Sequence, residues 1–305
     1  MKVLTSPSSF GQVGKEPFQM LEEAGFEVIN NPYGRKLTED EAIELAKDCI
    51  GIVAGVETLN ARVLDALPNL KVISRVGIGM DSIDLPYAQQ KGIIVRNTPD
   101  GPTRAVAELT LAMTLSLLRK IPQADASLKN KIWKKQTGNL VLNKVIGVVG
   151  LGRIGRLVSE LFRGIGNPVI GYDPYANEKW AEKTGVKLVD FNTVLSDADI
   201  VTLHVPGNED KSPVISEKEL ALLKKSALLI NISRGGIVDE DALFQALSTK
   251  QIAGAAVDVF VEEPYAGPLT ELDNIVLTPH LGSYAEEGKL LMEIEAVKNL
   301  LEEIK

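Results

Sequence analysis

Cysteine and histidine are scarce in this chain: one cysteine, Cys49, and two histidines, His204 and His280, stand among 305 residues. A lone thiol can form neither an internal disulfide nor a thiolate metal site, so no metal is expected and a reducing, cytoplasmic compartment fits. Basic excess is also missing. With 33 Lys and Arg against 41 Asp and Glu, the formal net charge is −8, and no run of basic residues offsets it. That balance argues against a surface for nucleic acid. The most lipid-like stretch, "LTLAMTLSLL" at 109–118, is far shorter than the roughly 20 apolar residues of a membrane span. The start "MKVLTSPSSFGQ" lacks the apolar core of a signal peptide, so neither a membrane contact nor secretion is expected.

What is present is the composition of an ordinary globular protein, 45% hydrophobic and 24% charged, in a chain long enough for two domains. Short β-rich apolar runs alternate with amphipathic helical stretches, the pattern of α/β folding on parallel sheets. The runs "KVLT", "FEVIN", "IGIVAG", "KVISRVG" and "GIIVRN" make a complete five-stranded unit. Then "TPDGPTRAVAELTLAMTLSLLRKIP" reads as a long apolar helix ended by Pro122, a domain crossing. Alternation restarts with "KVIGVVG", "PVIGYD", "VKLV", "DIVTLHV", "ALLINIS", "AGAAVDV" and "NIVLT", and the chain closes on a helix.

The second unit opens with "KVIGVVGLGRIGRLVSELF", where Gly150, Gly152 and Gly155 form G-x-G-x-x-G between a strand and a helix. The first glycine permits a tight turn, the second lets backbone approach a pyrophosphate, and the third allows close packing of helix on strand. Arg153 and Ile154 lie within this turn, and Asp173 ends the next apolar run, placed to accept hydrogen bonds from a ribose. Its charge would repel a 2′-phosphate, which favours NAD over NADP. The plainer reading, glycines that only ease a turn, explains the set less well because strand, glycines, helix, strand and acid occur in order.

Hydride transfer calls for a proton donor or acceptor beside the reacting carbon. His204 ends "DIVTLHVP" and His280 follows "NIVLTP", so both lie at carboxyl ends of strands, where open α/β sheets bind ligands. Position alone does not choose between them.

These residues resemble the D-isomer-specific 2-hydroxyacid dehydrogenases, most closely their D-3-phosphoglycerate dehydrogenase-like branch. Beyond "GLGRIG" and Asp173, the resemblance rests on "SRVGIGMDSIDL", "NTPDGPTRAVAELTLAM", "LLINISRGGIVDEDAL", "AGAAVDVFVEEP" and "TPHLGS". It implies two Rossmann-like or flavodoxin-like parallel-sheet domains separated by a cleft. A substrate domain would span 1–98 plus 284–305, with an NAD domain at 99–283 between, and a homodimer would form through the NAD domain. It implies Arg234 as the substrate-binding arginine, Glu263, directly before Pro264, as the family's glutamate, and His280 as acid/base. An arginine holds a carboxylate through paired charge-assisted bonds, and a carboxylate beside a histidine favours the protonated imidazole. By the same resemblance Asp258 contacts the nicotinamide amide, while His204, Val205, Pro206 and Ser233 line the cofactor. Arg75, Val76 and Gly77 would serve substrate, with glycines letting main-chain amides face a carboxylate.

The expected reaction interconverts a D-2-hydroxy acid and its 2-oxo acid, with 3-phosphoglycerate foremost. Reduction of glyoxylate, hydroxypyruvate or another small 2-oxo acid is the alternative within the enzymes. A nicotinamide-sensing corepressor is the alternative outside them. Where phosphoglycerate enzymes carry a second arginine, "AGVETL" places Ala54, and "NPYGRK" offers Arg35 or Lys36 as a replacement. The segment "GNEDKSPVIS" lacks the family's threonine-rich pattern. With the sequence ending at Lys305, serine feedback through a C-terminal regulatory domain is not expected, and a glutamate at 263 rather than glutamine disfavours formate as substrate.

Overall fold

The computed structural model describes residues 1–208, 210 and 212–304, so Glu209 and Lys211 of the "GNEDKSPVIS" segment lie outside the described residues. The chain divides into two compact units, Met1–Ala105 with Ser283–Lys305, and Val106–Gly282.

The first unit contains β1 (Lys2–Thr5), β2 (Glu27–Asn30), β3 (Cys49–Ala54), β4 (Val72–Arg75) and β5 (Ile94–Asn97), paired in the order β2-β1-β3-β4-β5. All pairs are parallel. Such strands are covered on both faces, which is why β3 reads as the unbroken apolar run "CIGIVA". Helix starts are written locally. Thr38 and Glu41 close a reciprocal capping box, and Asn60 and Asp84 cap the next two crossover helices. Cys49 is buried, and burial pushes its thiol up to about 11, so it behaves as a small apolar core residue.

The closing helix, Glu286–Glu303, belongs to this unit. Its Ala296, Val297 and Leu300 are fully buried in one cluster with Val3, Val53 and Val72. Strand β3 meets it so closely that a Cβ on Gly51 would lie 3.0 Å from a Leu300 methyl.

The second unit contains β6 (Ile146–Val149), β7 (Val169–Tyr172), β8 (Lys187–Leu188), β9 (Ile200–Leu203), β10 (Leu228–Asn231), β11 (Gly254–Val257) and β12 (Ile275–Leu277). They form one parallel sheet in the order β12-β11-β10-β9-β6-β7-β8. Large apolar clusters lie on its two faces, one around Leu203, Leu229 and Ala255, the other around Val148, Ile230 and Ala256.

The chain passes from one unit to the other between Ala105 and Val106, inside the helix Asp100–Arg119, whereas the sequence reading put the boundary at 98. Pro122 does not end that helix. The helix stops at Arg119, Lys120 adopts a left-handed φ of 54°, and Pro122 sits in the first turn of a new helix, Ile121–Lys129. A proline there loses no hydrogen bond, because first-turn amides have no intrahelical acceptor. Among the described residues no helix is long and apolar enough to cross a membrane.

Leu300→Ala is expected to destabilise the first unit by about 2–5 kcal/mol, the usual cost of truncating a fully buried leucine. Urea unfolding followed by probes in each unit checks this. The midpoint for the first unit should fall while that of the second holds.

Candidate active site

Because the seven strands of the second unit are parallel, every loop that follows a strand leaves from the same sheet edge, the edge at which open α/β sheets bind ligands. After β6, Gly150 turns the chain with a φ of 92°, a conformation side chains disfavour. A Cβ there would lie 2.4 Å from the His204 carbonyl oxygen, and one on Gly155 would lie 1.9 Å from the Gly150 oxygen. Packing therefore demands both glycines. Gly152 is different: a Cβ on it meets nothing within 4 Å. It is the N-cap of the helix Arg153–Gly164 and offers no side-chain cap, whereas Asn177, Asp190 and Asp239 cap neighbouring helices. The first-turn amides are thus left to an anion. Arg153 is exposed beside them, and Ile154 packs against the core.

Asp173 follows β7. Its Oδ2 accepts from Leu151 N at 2.7 Å and its Oδ1 from Tyr175 N at 2.7 Å, so it ties the glycine turn to the next strand. Each oxygen keeps a lone pair for a ribose hydroxyl. The open cradle at Gly152, the uncapped helix and this acid fit a dinucleotide.

His204 follows β9, with its backbone against Gly150. Its Nε2 lies 2.9 Å from Thr202 Oγ1, and its buried Nδ1 has no hydrogen-bond partner. The ring is enclosed although the residue as a whole keeps partial exposure, and burial pushes its pKa down to about 3. A histidine that stays neutral is a poor proton donor. Val205 packs on the core beside Gly150, and Pro206 is exposed.

Arg234, Asp258 and His280 follow β10, β11 and β12, three adjacent strands. His280 Nδ1 lies 2.9 Å from Glu263 Oε2 and 3.1 Å from Oε1. An ionised carboxylate can only accept, so Nδ1 carries the proton and Nε2 is left to exchange one with a substrate. Both side chains are partly exposed. His280 has a left-handed φ of 54°, rare for a residue with a side chain, and its N–H donates to the Asp258 carbonyl at 2.8 Å. Glu263 Oε1 also accepts from Phe260 N at 3.1 Å, and the Glu263–Pro264 peptide is cis.

The Asp258 side chain is wholly buried, and burial raises its pKa. Its Oδ1 takes Thr278 Oγ1 at 2.6 Å and Leu281 N at 2.7 Å, and its Oδ2 takes Gly282 N at 2.8 Å. This carboxylate helps to build the turn that carries His280, and its Oδ2 keeps a lone pair. Arg234 is brought to the same group by its neighbour. A Cβ on Gly235 would lie 1.9 Å from the Phe260 carbonyl oxygen, so the arginine loop abuts the turn that holds Glu263. Arg234 Nη1 donates to the Ser233 carbonyl at 2.8 Å, and the Ser233 hydroxyl donates to Asn231 Oδ1 at 2.8 Å.

In the first unit, Val76 N donates to the Ala54 carbonyl at 2.9 Å and Gly77 N to Thr98 Oγ1 at 2.7 Å. Those two amides are committed inside the protein and cannot face a carboxylate as expected. The next two, of Ile78 and Gly79, have no internal acceptor in the described hydrogen bonds and are the better donors of this turn. Arg75 donates to the Val76 carbonyl and lies beside Gly77. Glu41 holds Arg35 through two bonds, at 2.7 and 2.9 Å, and the arginine side chain is exposed. Glycine spacing signalled the turn at 76–79, but the commitments of Thr98 and Ala54 that decide its free donors are tertiary. Gly235 and Thr278 carried no signal of their own.

The family model for the NAD binding domain of D-isomer specific 2-hydroxyacid dehydrogenases matches residues 111–282. The chain belongs to this family. It is 43% identical over 281 residues to a D-3-phosphoglycerate dehydrogenase of Methanocaldococcus jannaschii, covering 90% of the chain and 53% of that relative. Identity to the enzyme of the same name from Synechocystis is 40% over 268 residues, covering 87% and 48%. The chain thus spans about half the length of these curated relatives. Among solved structures, the TT0316 protein of Thermus thermophilus superposes with a TM-score of 0.89 at 31% identity, covering 99% of this chain and 96% of that one.

In the folded chain His204 stays neutral down to about pH 3, whereas the unfolded chain protonates it near 6.5. Between those values the unfolded state binds the extra proton, so stability falls as pH drops below about 6.5. His204→Asn is expected to lose about 1 kcal/mol less than the parent between about pH 7.5 and 5.5. Urea titrations at the two pH values read the difference.

Proposed function

We propose that this protein is an NAD-dependent oxidoreductase that interconverts a D-2-hydroxy acid and its 2-oxo acid, with D-3-phosphoglycerate and 3-phosphohydroxypyruvate the foremost pair. The observation that carries the reading is the His280–Glu263 pair at the end of β12, beside the loops that follow β10 and β11. His280 Nε2 takes the hydroxyl proton as the alcohol is oxidised and returns it in the reverse direction. Glu263 keeps the ring in the required tautomer and stabilises the imidazolium. Arg234 binds the substrate carboxylate and polarises the adjacent carbonyl. Gly152 and the helix Arg153–Gly164 would hold the pyrophosphate of NAD and Asp173 its ribose, and the nicotinamide would supply the hydride acceptor or donor. The Ile78 and Gly79 amides are a further element for an anionic group.

The phosphorylated pair is supported by the name that the 40% and 43% identical relatives share. A second reading, reduction of a small unphosphorylated 2-oxo acid, is favoured by a specific observation. Ala54 is buried in register with Arg75, and nearby Glu57, also buried, accepts from Ser6 Oγ at 2.5 Å. Burial raises the Glu57 pKa, and beside Arg75 this acid offers a phosphate no positive charge.

A steady-state screen of phosphorylated and unphosphorylated hydroxy and oxo acids with NAD and NADP tests both readings. NADH oxidation by a 2-oxo acid is expected, with NAD preferred over NADP. NADH binding without turnover across the panel would point to a sensor instead. His280→Ala should lose at least about 100-fold in kcat while keeping NADH affinity, in line with the usual worth of general acid-base help. Near-parental rates in that variant would remove its role.

The working assembly is a homodimer in a reducing cytoplasm. Within Ile121–Leu142 large apolar side chains face solvent, foremost Trp133 at 82% and Leu140 at 69% exposure. Such a patch suits a self-complementary interface. Trp133→Glu is expected to shift the protein toward monomer in light scattering.

A further inference from the structure

Glu240 opens the helix Glu240–Ser248 in the unit that carries His280 and Glu263. Its Oε1 accepts from Val261 N at 2.7 Å. The preceding amide, Phe260 N, goes to Glu263 Oε1 at 3.1 Å. Two consecutive amides of one turn are thus held by two carboxylates, and one of these is the carboxylate that bonds His280 Nδ1. The Glu240 end is itself anchored. Asp239 caps the helix through Ala242 N at 3.0 Å, and its own N–H donates to the Ile215 carbonyl at 2.9 Å. Gly235 presses on the same turn from the arginine loop. Glu240 is therefore an anchored strut on a turn whose other polar tether is Glu263, one of the two groups it must align.

We propose that Glu240 is a positioning residue for the reaction, holding the Phe260–Glu263 turn so that Glu263 meets His280 Nδ1 and adding its own negative charge to their surroundings. This rests on the roles given above to His280 and Glu263. Asp239 and Asp241 face Glu240 from its own helix, and Glu263 and Tyr265 face it from the turn and its continuation; Glu263 and Asp258 face His280. Burial raises the Glu240 pKa, against the bond from Val261 N and with the neighbouring carboxylates; in its ionised form Glu240 favours a positive charge arriving nearby.

Two variants separate position from charge. Glu240→Ala removes both; Glu240→Gln keeps an acceptor for Val261 N and removes the charge. Glu240→Ala is expected to lower kcat about 10-fold, less than loss of the acid/base itself, with the NADH KM changed by less than about twofold. Glu240→Gln should recover kcat to within about threefold. With only two histidines in the chain and His204 held neutral by burial, the His280 ring can be followed by NMR without substrate. In Glu240→Ala its ring resonances should move from their parental chemical shifts, and in Glu240→Gln they should return toward them. Parental kcat in Glu240→Ala, equal impairment of both variants with a raised NADH KM, or unmoved His280 ring shifts in Glu240→Ala would each overturn the proposal. If the parent turned over no oxo acid, the functional reading would fall, while displaced His280 ring shifts in Glu240→Ala would still support the strut.

Discussion

A parallel strand cannot be joined to its neighbour by a tight turn; the chain must leave one edge of the sheet and return to the other through a crossover. That constraint orders the second unit. It sends the loops after β6, β7, β9, β10, β11 and β12 to one edge and brings together residues as distant in sequence as Gly150 and His280. Neighbouring strands lie about 4.8 Å apart, so the three strands before Arg234, Asp258 and His280 cover roughly 10 Å, the scale of a small oxo acid beside a pyridine ring.

Along that edge two carboxylates of similar sequence context do different work. Asp258 is enclosed, and two backbone amides and a hydroxyl occupy its oxygens. Glu263 is partly exposed and spends its oxygens on one amide and the His280 ring. Burial makes the first a structural acid whose charge is costly, and exposure leaves the second able to respond to a proton moving through the imidazole. His204 is the histidine counterpart of Asp258, enclosed and neutral, which separates two histidines that stand at equivalent strand ends.

Strands and sheet class were legible because strands covered on both faces read as short continuous apolar runs, and "CIGIVA" and "IGVV" are such runs. The glycine turn was legible because close packing at Gly150 and Gly155 leaves no chemical substitute for glycine. Pro122 misled because proline suits the first turn of a new helix as well as the end of an old one, and nothing in the residue type of Lys120 announces a left-handed φ. The amides of Val76 and Gly77 were misassigned because spacing identifies a turn but not the partners Ala54 and Thr98 that consume its donors.

The close approach at Gly235 has a consequence for how this site could change. No methyl group fits between that residue and the Phe260 carbonyl, so main chain touches main chain with nothing compressible between. The guanidinium loop and the glutamate turn are in effect welded along a seam. A drift in either is passed to the other, and the imidazole follows through its own bond to the glutamate. Natural retuning toward another acid would therefore work outside the seam, by swapping side chains around a trio that moves as one piece.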